Sequence, residues 1–268
     1  MRGIPTKTNH RPRKRFGQHF LRDARMIARI LGAIQPEPGE HLLEIGPGQG
    51  AITLELLRSA GSLDAIELDR DLVEPLRQRC AGLGELRLQQ ADALRVDLCA
   101  LVPSGERLRL VGNLPYNIST PLLFRFLAQR ACIQDMHLLL QREVVERIAA
   151  QPGTKTYGRL SVMVQTDCQV EKLFSIPPGA FSPPPKVDSA FLRLCPWQPS
   201  RYTIADREIY AKLVAKAFSQ RRKTLRNALR GWVKESQLLR ANIRGEQRAE
   251  EIDIPRFVAL ANEIAADG

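Results

Sequence analysis

The chain has 268 residues, of which 44% are apolar and 26% are charged, the proportions of an ordinary folded protein. These proportions exclude disordered, collagen-like and fibrous classes, and no run approaches the roughly 18 consecutive apolar residues that a membrane-spanning helix needs. The 40 lysines and arginines exceed the 29 acidic residues and give a net charge of +11, which favours polyanionic partners, above all nucleic acid.

The predicted elements begin with a basic arm over residues 1–18, which lacks the apolar segment of a secretory signal. Apolar residues then recur with helical period over 23–34. From there short apolar strands alternate with amphipathic helices. The predicted strands are 42–46, 63–68, 86–92, 108–114 and 136–141, and the predicted helices are 50–61, 70–80, 120–129 and 142–151. This alternation predicts a mainly parallel, doubly wound sheet with helices on both faces.

The pattern changes after residue 152. Segments 159–170 and 186–194 are typical of strands, with no long helix between them, and predict an antiparallel hairpin at the edge of the sheet. The pattern from residue 201 onwards is helical. We therefore predict an α/β domain over 1–200 and a small helical domain over 201–268.

The basic residues cluster near the two ends of the chain. Residues 2–25 hold eight lysines and arginines against one acid, and residues 216–230 hold six against none. Such clusters favour a phosphate-binding surface over a uniform solubilising charge. The chain also has five cysteines without a CxxC pair and four histidines without metal-ligand spacing. We expect reduced thiols, no metal, a cytoplasmic location and a monomer.

A glycine-rich turn, EIGPGQG over 44–50, follows the first strand of the alternating series and opens a helix. Its glycines allow a sharp turn and a close approach of a ligand to the backbone. A dinucleotide site has the pattern GxGxxG/A, which Gly46, Gly48 and Ala51 could satisfy. A site for S-adenosylmethionine, which has no pyrophosphate, needs only GxGxG. The motif alone leaves both cofactors open, as well as an ordinary turn.

Polar residues close the next three strands of the series. Glu67 ends the second strand, about 20 residues past the first glycine, where a carboxylate can accept both ribose hydroxyl protons. Asp92 ends the third strand, where it can accept from an adenine amine, and Asn113 ends the fourth. Ligands of open α/β sheets bind at these strand ends, so an adenosyl ligand is predicted. The alternative for each acid is a helix cap.

The segment NLPYN over 113–117 indicates the chemistry. An adenine amine is a poor nucleophile because its lone pair is delocalised into the ring. Two acceptors on its N–H groups, the Asn113 side-chain oxygen and the Pro115 carbonyl, would help to localise that lone pair. Tyr116 offers a face for base stacking, a contact worth about 1–3 kcal/mol. The alternative is a tight turn after a strand.

The sequence resembles the small-subunit (16S) ribosomal RNA adenine N6,N6-dimethyltransferase family of the KsgA/RsmA type, over essentially its whole length. The segments that carry the resemblance, in family order, are RKRFGQHFL (13–21), LLEIGPGQGAIT (42–53), IELDRDL (66–72), GNLPYNISTPLLF (112–124), LQREVVERI (140–148), YGRLSVMVQ (157–165), FSPPPKVDSA (181–190) and AFSQRRKTLRNAL (217–229). The resemblance implies a Rossmann-like class I methyltransferase sheet, S-adenosylmethionine as cofactor, and a helical C-terminal domain that binds RNA.

The resemblance also implies site residues. The cofactor contacts would fall on His19, Leu21, Gly46, Glu67, Asp92 and Asn113, with Gly48 of the same turn. The family usually has Asn where this chain has His19. The adenine pocket would be Asn113, Leu114, Pro115 and Tyr116. Phe181 would close the other face of the flipped base, or else anchor its proline-rich loop in the core.

The implied partner is 16S rRNA within the 30S subunit or its precursor. Arg221, Arg222 and Lys223 would lie against rRNA phosphates, where they position rather than specify the substrate. The rival functions are an erythromycin-resistance methyltransferase of 23S rRNA, a non-catalytic RNA-binding or assembly factor on the same fold, and, more distantly, an NAD oxidoreductase.

Overall fold

The computed structural model describes residues 18–267, so all of the predicted basic arm except Gln18 lies outside the described residues. The chain divides into two compact units. The first comprises the described residues up to Arg142 together with Lys172–Cys195, and the second comprises Glu143–Glu171 and the described residues from Pro196 onwards. This division differs from the predicted boundary at residue 200, because residues 143–171 belong with the helical unit.

Within residues 18–267 the strands are β1 Phe20–Leu21, β2 His41–Ile45, β3 Ser62–Glu67, β4 Glu85–Gln90, β5 Leu108–Asn113, β6 Ile133–Gln141, β7 Cys168–Ile176, β8 Phe181–Ser182 and β9 Ser189–Pro196. The helices are α1 Ala24–Ile34, α2 Thr53–Ala60, α3 Arg70–Cys80, α4 Ser119–Ala128, α5 Arg142–Ile148, α6 Arg159–Asp167, α7 Arg207–Ala217, α8 Leu225–Ala228, α9 Glu235–Arg240 and α10 Ile254–Ala266.

The main sheet has the strand order β4-β3-β2-β5-β6-β9-β7. Strands β2 to β6 pair in parallel, and β9 runs antiparallel to β6. The predicted doubly wound sheet is therefore confirmed, with an antiparallel extension at one edge. Parallel strands place their carboxyl ends along one edge, and that edge carries the turns after β2, β3 and β5, where the chemistry-bearing residues were expected.

Apolar helix faces cover the first unit's sheet. Ile30 of α1, Leu57 of α2 and Leu76 of α3 are buried against sheet residues such as Leu42 and Ala65. Each such side chain contributes about 1.5–3 kcal/mol when fully buried. Asp23 caps the start of α1, because its side chain accepts the backbone N–H groups of Arg25 at 2.8 Å and Met26 at 3.0 Å.

The second unit is helical, and its core includes part of the segment 159–170, which was predicted to be a strand. That prediction is wrong: α6 occupies Arg159–Asp167, and β7 begins only at Cys168. Leu160, Val162 and Val164 alternate like a strand, but the helix is buried on most sides, so its apolar pattern shows no clear helical period. Tyr210 of α7 locks onto it through a 2.6 Å hydrogen bond to Thr166.

Cys99 and Cys132 form a disulfide, with sulfur atoms 2.08 Å apart. The expectation that all five cysteines are reduced is wrong for this pair. The two are 33 residues apart and meet because the buried Gln129 side chain accepts the Leu98 N–H at 2.7 Å, which holds the loop after β4 against the end of α4. Cys80, Cys168 and Cys195 are thiols.

A charged cluster lies at the amino-terminal end of the parallel strands. Arg109 is buried and donates to the Ile34 carbonyl at the end of α1 at 2.7 Å, and it pairs with Asp135 at 3.1 Å. His137, next to this cluster, is fully buried. Burial lowers the pKa of His137 to about 4, and the positive charges of Arg109 and Arg193 add to this effect, while Asp135 opposes it.

This low pKa predicts acid sensitivity. His137 is neutral when folded and titrates near its ordinary value of 6.5 when unfolded. The unfolded state therefore binds more protons below that pH, and the folded state loses stability as pH falls from about 6.5 to about 4, by roughly 3 kcal/mol. His137→Phe should remove that part of the pH dependence, as measured by urea unfolding at several pH values. An unchanged pH slope would contradict the assignment.

Candidate active site

A cavity of about 280 Å³ lies at the carboxyl ends of β2, β3 and β5 in the first unit. It brings together all the cofactor residues predicted from the sequence and the four residues of the NLPY motif. Its lining includes His19, Leu21, Gly46, Gly48, Glu67, Asp92, Asn113, Leu114, Pro115 and Tyr116, together with Gln18, Phe20, Glu44 and Leu68. This is where open α/β sheets bind their ligands.

The glycine turn forms the floor between β2 and α2. Gly46 donates its N–H to the Ile66 carbonyl at 2.9 Å, which ties the turn to β3. Gly48 has a φ of 58°, and a Cβ there would lie 3.0 Å from the Phe20 ring, which also lines the cavity. Gly50 has a φ of 78°, and a Cβ there would lie 2.5 Å from Leu76. A side chain at either position would therefore strain the turn and crowd its neighbours.

Glu67 holds the turn in place as well as facing the cavity. Its two carboxylate oxygens accept the Gly48 N–H at 3.0 Å and the Asp69 N–H at 2.8 Å. Burial raises the pKa of Glu67, and these two N–H groups oppose that rise. A carboxylate has about four acceptor sites, so further sites remain for the two hydroxyls of a ribose.

Glu44 is a site residue that sequence reasoning missed. It sits in the otherwise apolar strand β2, is buried, and accepts the Thr53 hydroxyl at 2.6 Å. The pKa of Glu44 is raised to about 7, mainly by burial and in addition by the charge of Glu67, while the Thr53 hydrogen bond opposes the rise. An acid in the middle of a buried strand, two residues before the glycine turn, was the available signal.

Asp92 caps a turn and also lines the cavity. One carboxylate oxygen accepts the Leu94 N–H at 3.0 Å and so caps the following turn. The side chain is still 35% exposed and lines the cavity. Its remaining acceptor sites can therefore meet a ligand amine.

The NLPY segment supplies two oxygen acceptors from residues that line the cavity, Asn113 and Pro115. The Asn113 side-chain nitrogen donates to the His19 carbonyl at 3.0 Å. A carbonyl only accepts, so this bond fixes the amide with its nitrogen towards His19 and its oxygen away from it. The Pro115 carbonyl accepts the Ile118 N–H at 3.1 Å and keeps a second lone pair. Leu114 is anchored below them by a 3.2 Å hydrogen bond to Leu139.

Tyr116 is held from two sides. Its ring stacks on the His19 imidazole, with ring centroids 5.5 Å apart and planes at 27°. Its hydroxyl hydrogen bonds the Ser189 hydroxyl at 2.5 Å. Burial raises the pKa of Tyr116, so the hydroxyl stays protonated at neutral pH. His19 in turn donates from Nδ1 to the Pro183 carbonyl at 2.8 Å.

Phe181 is buried in the first unit, and its role as an aromatic wall for the flipped base stays a prediction. It is 4% exposed, belongs to the core of the first unit, and is not among the residues that line the cavity. Its strand β8 pairs with β1, where Leu21 and Phe181 are register partners. The geometry matches the other interpretation that the sequence allowed, a phenylalanine that anchors its loop in the core.

The second unit carries the predicted RNA contacts. Arg222 and Lys223 are exposed, and neither makes an ion pair with any residue that the structure describes. Arg221 is different, because it pairs with Glu250 at 3.1 Å. Arg226 of the same cluster contacts both Glu235 and Glu246. Acidic residues from later in the chain therefore neutralise part of the positive charge of residues 216–230, a segment that has no acidic residue of its own.

The donor set fits S-adenosylmethionine. The glycine turn lets a ligand approach the backbone closely. Glu67 and Asp92 keep acceptor sites for hydroxyls and an amine, and the cavity walls are largely apolar. Among residues 18–267, no group of histidine, cysteine or acidic side chains is placed to hold a metal. The fold and site define a class I methyltransferase that uses S-adenosylmethionine.

Comparisons with known proteins give the family. The profile of "Ribosomal RNA adenine dimethylase" matches residues 9–266. "Ribosomal RNA small subunit methyltransferase A" of Xylella fastidiosa (strain 9a5c) is 55% identical, covering 93% of this chain and 95% of that protein. The protein of the same name from Pseudomonas putida is 52% identical, covering 96% of each. The chain belongs to the ribosomal RNA adenine dimethylase family.

Solved structures agree on the fold. A dimethyladenosine transferase from Plasmodium falciparum superposes with a TM-score of 0.80 at 27% identity, covering 93% of this chain and 98% of that one. The 23S rRNA methyltransferase ErmE superposes with a TM-score of 0.70, also at 27% identity, covering 92% and 99%. The predicted Rossmann-like methyltransferase fold, its enzymatic nature and its cofactor are therefore confirmed.

Glu67→Gln tests the double role of that carboxylate. The amide keeps the size but offers an NH₂ to one of the two backbone N–H donors, so one donor faces another. We expect the Kd for S-adenosylmethionine to rise at least tenfold, ~1.4 kcal/mol, in isothermal titration calorimetry. Glu74→Gln, an exposed change on α3, is the matched control. Unchanged affinity of the Glu67 variant would refute the role.

Proposed function

We propose that this protein transfers methyl groups from S-adenosylmethionine to N6 of two adjacent adenines in the 3′-terminal hairpin of 16S rRNA. The substrate is the 30S subunit or its precursor, the products are N6,N6-dimethyladenosines, and the protein takes part in subunit biogenesis. The 52–55% identity to proteins named for the small subunit supports this substrate. The observation that carries the chemistry is the Asn113 amide held by the His19 carbonyl, in a cavity that Pro115 also lines.

Asn113 and Pro115 activate the target amine. The amide oxygen and the free lone pair of the carbonyl each accept one N–H of the adenine N6, which draws the amine towards tetrahedral geometry and localises its lone pair. S-adenosylmethionine, when bound, supplies an electrophilic methyl group on a sulfonium. Because His19 stacks on one face of Tyr116, we assign the opposite face to stacking on the flipped base.

No strong general base is needed. When N6 gains a methyl group it becomes cationic, and one of its protons becomes acidic enough to leave through an acceptor or water. The monomethyl amine has a single N–H, so for the second transfer the pocket must accept its rotation. Asn113 and Pro115 then hold that one proton between them rather than one each.

The second unit supplies RNA affinity. Arg222 and Lys223 are exposed cations without acidic partners among the described residues, and they contact rRNA phosphates. Such contacts fix position and carry no sequence information. Arg221 contributes only when it exchanges Glu250 for a phosphate.

The second candidate substrate is 23S rRNA, because ErmE shares the fold. The higher identity to small-subunit enzymes argues against it. Incubation with undermethylated 30S particles, 50S particles and naked rRNA, followed by mass mapping of the modified adenines, separates the two. We expect dimethylation only in small-subunit RNA, and modification confined to 50S particles would overturn the proposal.

The protein acts as a monomer in the cytoplasm, where ribosomal subunits are assembled. None of the helices within residues 18–267 is long and apolar enough to cross a membrane. A further role as a checkpoint in subunit assembly is compatible with the same surface, because binding to an unfinished particle precedes methylation.

Asn113→Ala separates chemistry from binding. Loss of one acceptor on the nucleophile should lower kcat about 100-fold, as removal of one preorganised polar contact to a transition state commonly does. Affinity for the particle, which depends on phosphate contacts, should stay within about twofold of the wild type. Near-normal turnover of this variant on undermethylated 30S particles would exclude the assigned role.

Charge reversal tests the RNA surface. The double variant Arg222→Glu with Lys223→Glu should weaken particle binding about tenfold and lower the slope of log K against log salt by roughly 1.5–2. Arg107→Glu with Lys172→Glu changes the charge equally at exposed positions of the first unit, and serves as the control. Equal salt slopes for the two variants would exclude a phosphate-binding role for Arg222 and Lys223.

A further inference from the structure

The segment FSPPPKVDS over 181–189 begins at Phe181, which is buried in the core of the first unit. Its two ends nevertheless reach the site. The Pro183 carbonyl accepts from His19 at 2.8 Å, and the Ser189 hydroxyl bonds Tyr116 at 2.5 Å. His19 and Tyr116 are stacked on each other. The segment therefore contacts both members of the ring pair that borders the proposed adenine pocket.

We infer that Ser189 is a positioning residue, which fixes the orientation of the Tyr116 ring so that one face stays turned towards the flipped adenine. This inference rests on the proposed function. Ser189 touches neither the cofactor nor the substrate in this scheme and acts only through Tyr116. His19 covers the other face of the same ring and so leaves the base a single place to stack.

Ser189 is well placed for this task because it is buried and its backbone belongs to a sheet. It is fully buried and begins β9, where its register partner is Gln141 of β6. The residue before it is tied as well: the Asp188 carbonyl accepts the Arg142 N–H at 2.9 Å, and its carboxylate accepts the Arg142 side chain at 2.8 Å. A hydroxyl on a rigid strand holds its partner more accurately than one on a loop does.

Tyr116, by contrast, lies between β5 and α4, outside both elements. Its ring needs an external restraint to keep one orientation, and a hydrogen bond of ordinary strength, about 0.5–1.5 kcal/mol net, is enough to select one rotamer over others. A purely structural alternative also exists, because a half-buried tyrosine hydroxyl normally needs a partner. The two accounts differ in whether the effect of Ser189 passes through the Tyr116 hydroxyl.

A double-mutant cycle makes that distinction. Ser189→Ala should lower kcat on undermethylated 30S particles about tenfold while KM for the particle changes less than about twofold. In a Tyr116→Phe background, which already lacks the hydroxyl, the same change should have no further effect on kcat. Ser175→Ala, exposed on β7 of the same sheet, is the control and should leave kcat unchanged.

Two outcomes would overturn the inference. One is a kcat for Ser189→Ala equal to that of the wild type. The other is an equal loss of kcat from Ser189→Ala in both backgrounds, because that independence would mean that Ser189 acts through packing. Thermal unfolding is measured for every variant of the cycle, and kcat is calculated per folded protein so that a loss of folded protein is not mistaken for a loss of activity.

A readout without substrate separates this inference from the proposed function. The chain has four tyrosines, so 3-fluorotyrosine labelling gives a short ¹⁹F spectrum in which Tyr116→Phe assigns one resonance. Ser189→Ala should shift or broaden that resonance and leave the other three in place. An unmoved resonance would overturn the inference. If the resonance moves but the wild-type protein is inactive on 30S particles, Ser189 does orient Tyr116 and the proposed function is overturned.

Discussion

The proposed chemistry depends on one hydrogen bond, from the Asn113 side-chain nitrogen to the His19 carbonyl. It settles the direction of an amide that would otherwise be free to turn, because a carbonyl can receive only the NH₂ side. The oxygen then faces away from His19 as an acceptor, in a cavity that Pro115 also lines. The structure holds each end of this bond by other means: Asn113 ends a central strand, and the His19 ring is tied to Pro183.

A second constraint works alongside it on the cofactor side. Glu67 is buried at the end of β3 and accepts one N–H from the glycine turn and one from the residue that opens α3. A single carboxylate thus joins two successive strand-to-helix turns. Burial of this charge is tolerated because backbone N–H groups stabilise it, and the neighbouring Glu44, with a pKa of about 7, does not have to be charged at the same time.

The sequence predicted the parts of the fold and site that depend on local pattern and strand order. Glu67 and Asn113 end their strands, the glycines and Asp92 follow theirs, and parallel pairing alone brings such residues to one edge. The missed features depend on distant partners. Ser189 lies 73 residues from Tyr116, Cys99 lies 33 residues from Cys132, and Glu235 offsets Arg226 from another element. The α6 helix was missed because near-complete burial hides the period that distinguishes helix from strand.

A crystal structure with S-adenosylhomocysteine and adenosine 5′-monophosphate tests the central claim most directly. The account predicts the adenine amine within hydrogen-bond distance of both the Asn113 side-chain oxygen and the Pro115 carbonyl, with the purine ring against the free face of Tyr116. An adenine bound elsewhere, or an Asn113 amide turned with its nitrogen towards the purine, would contradict it.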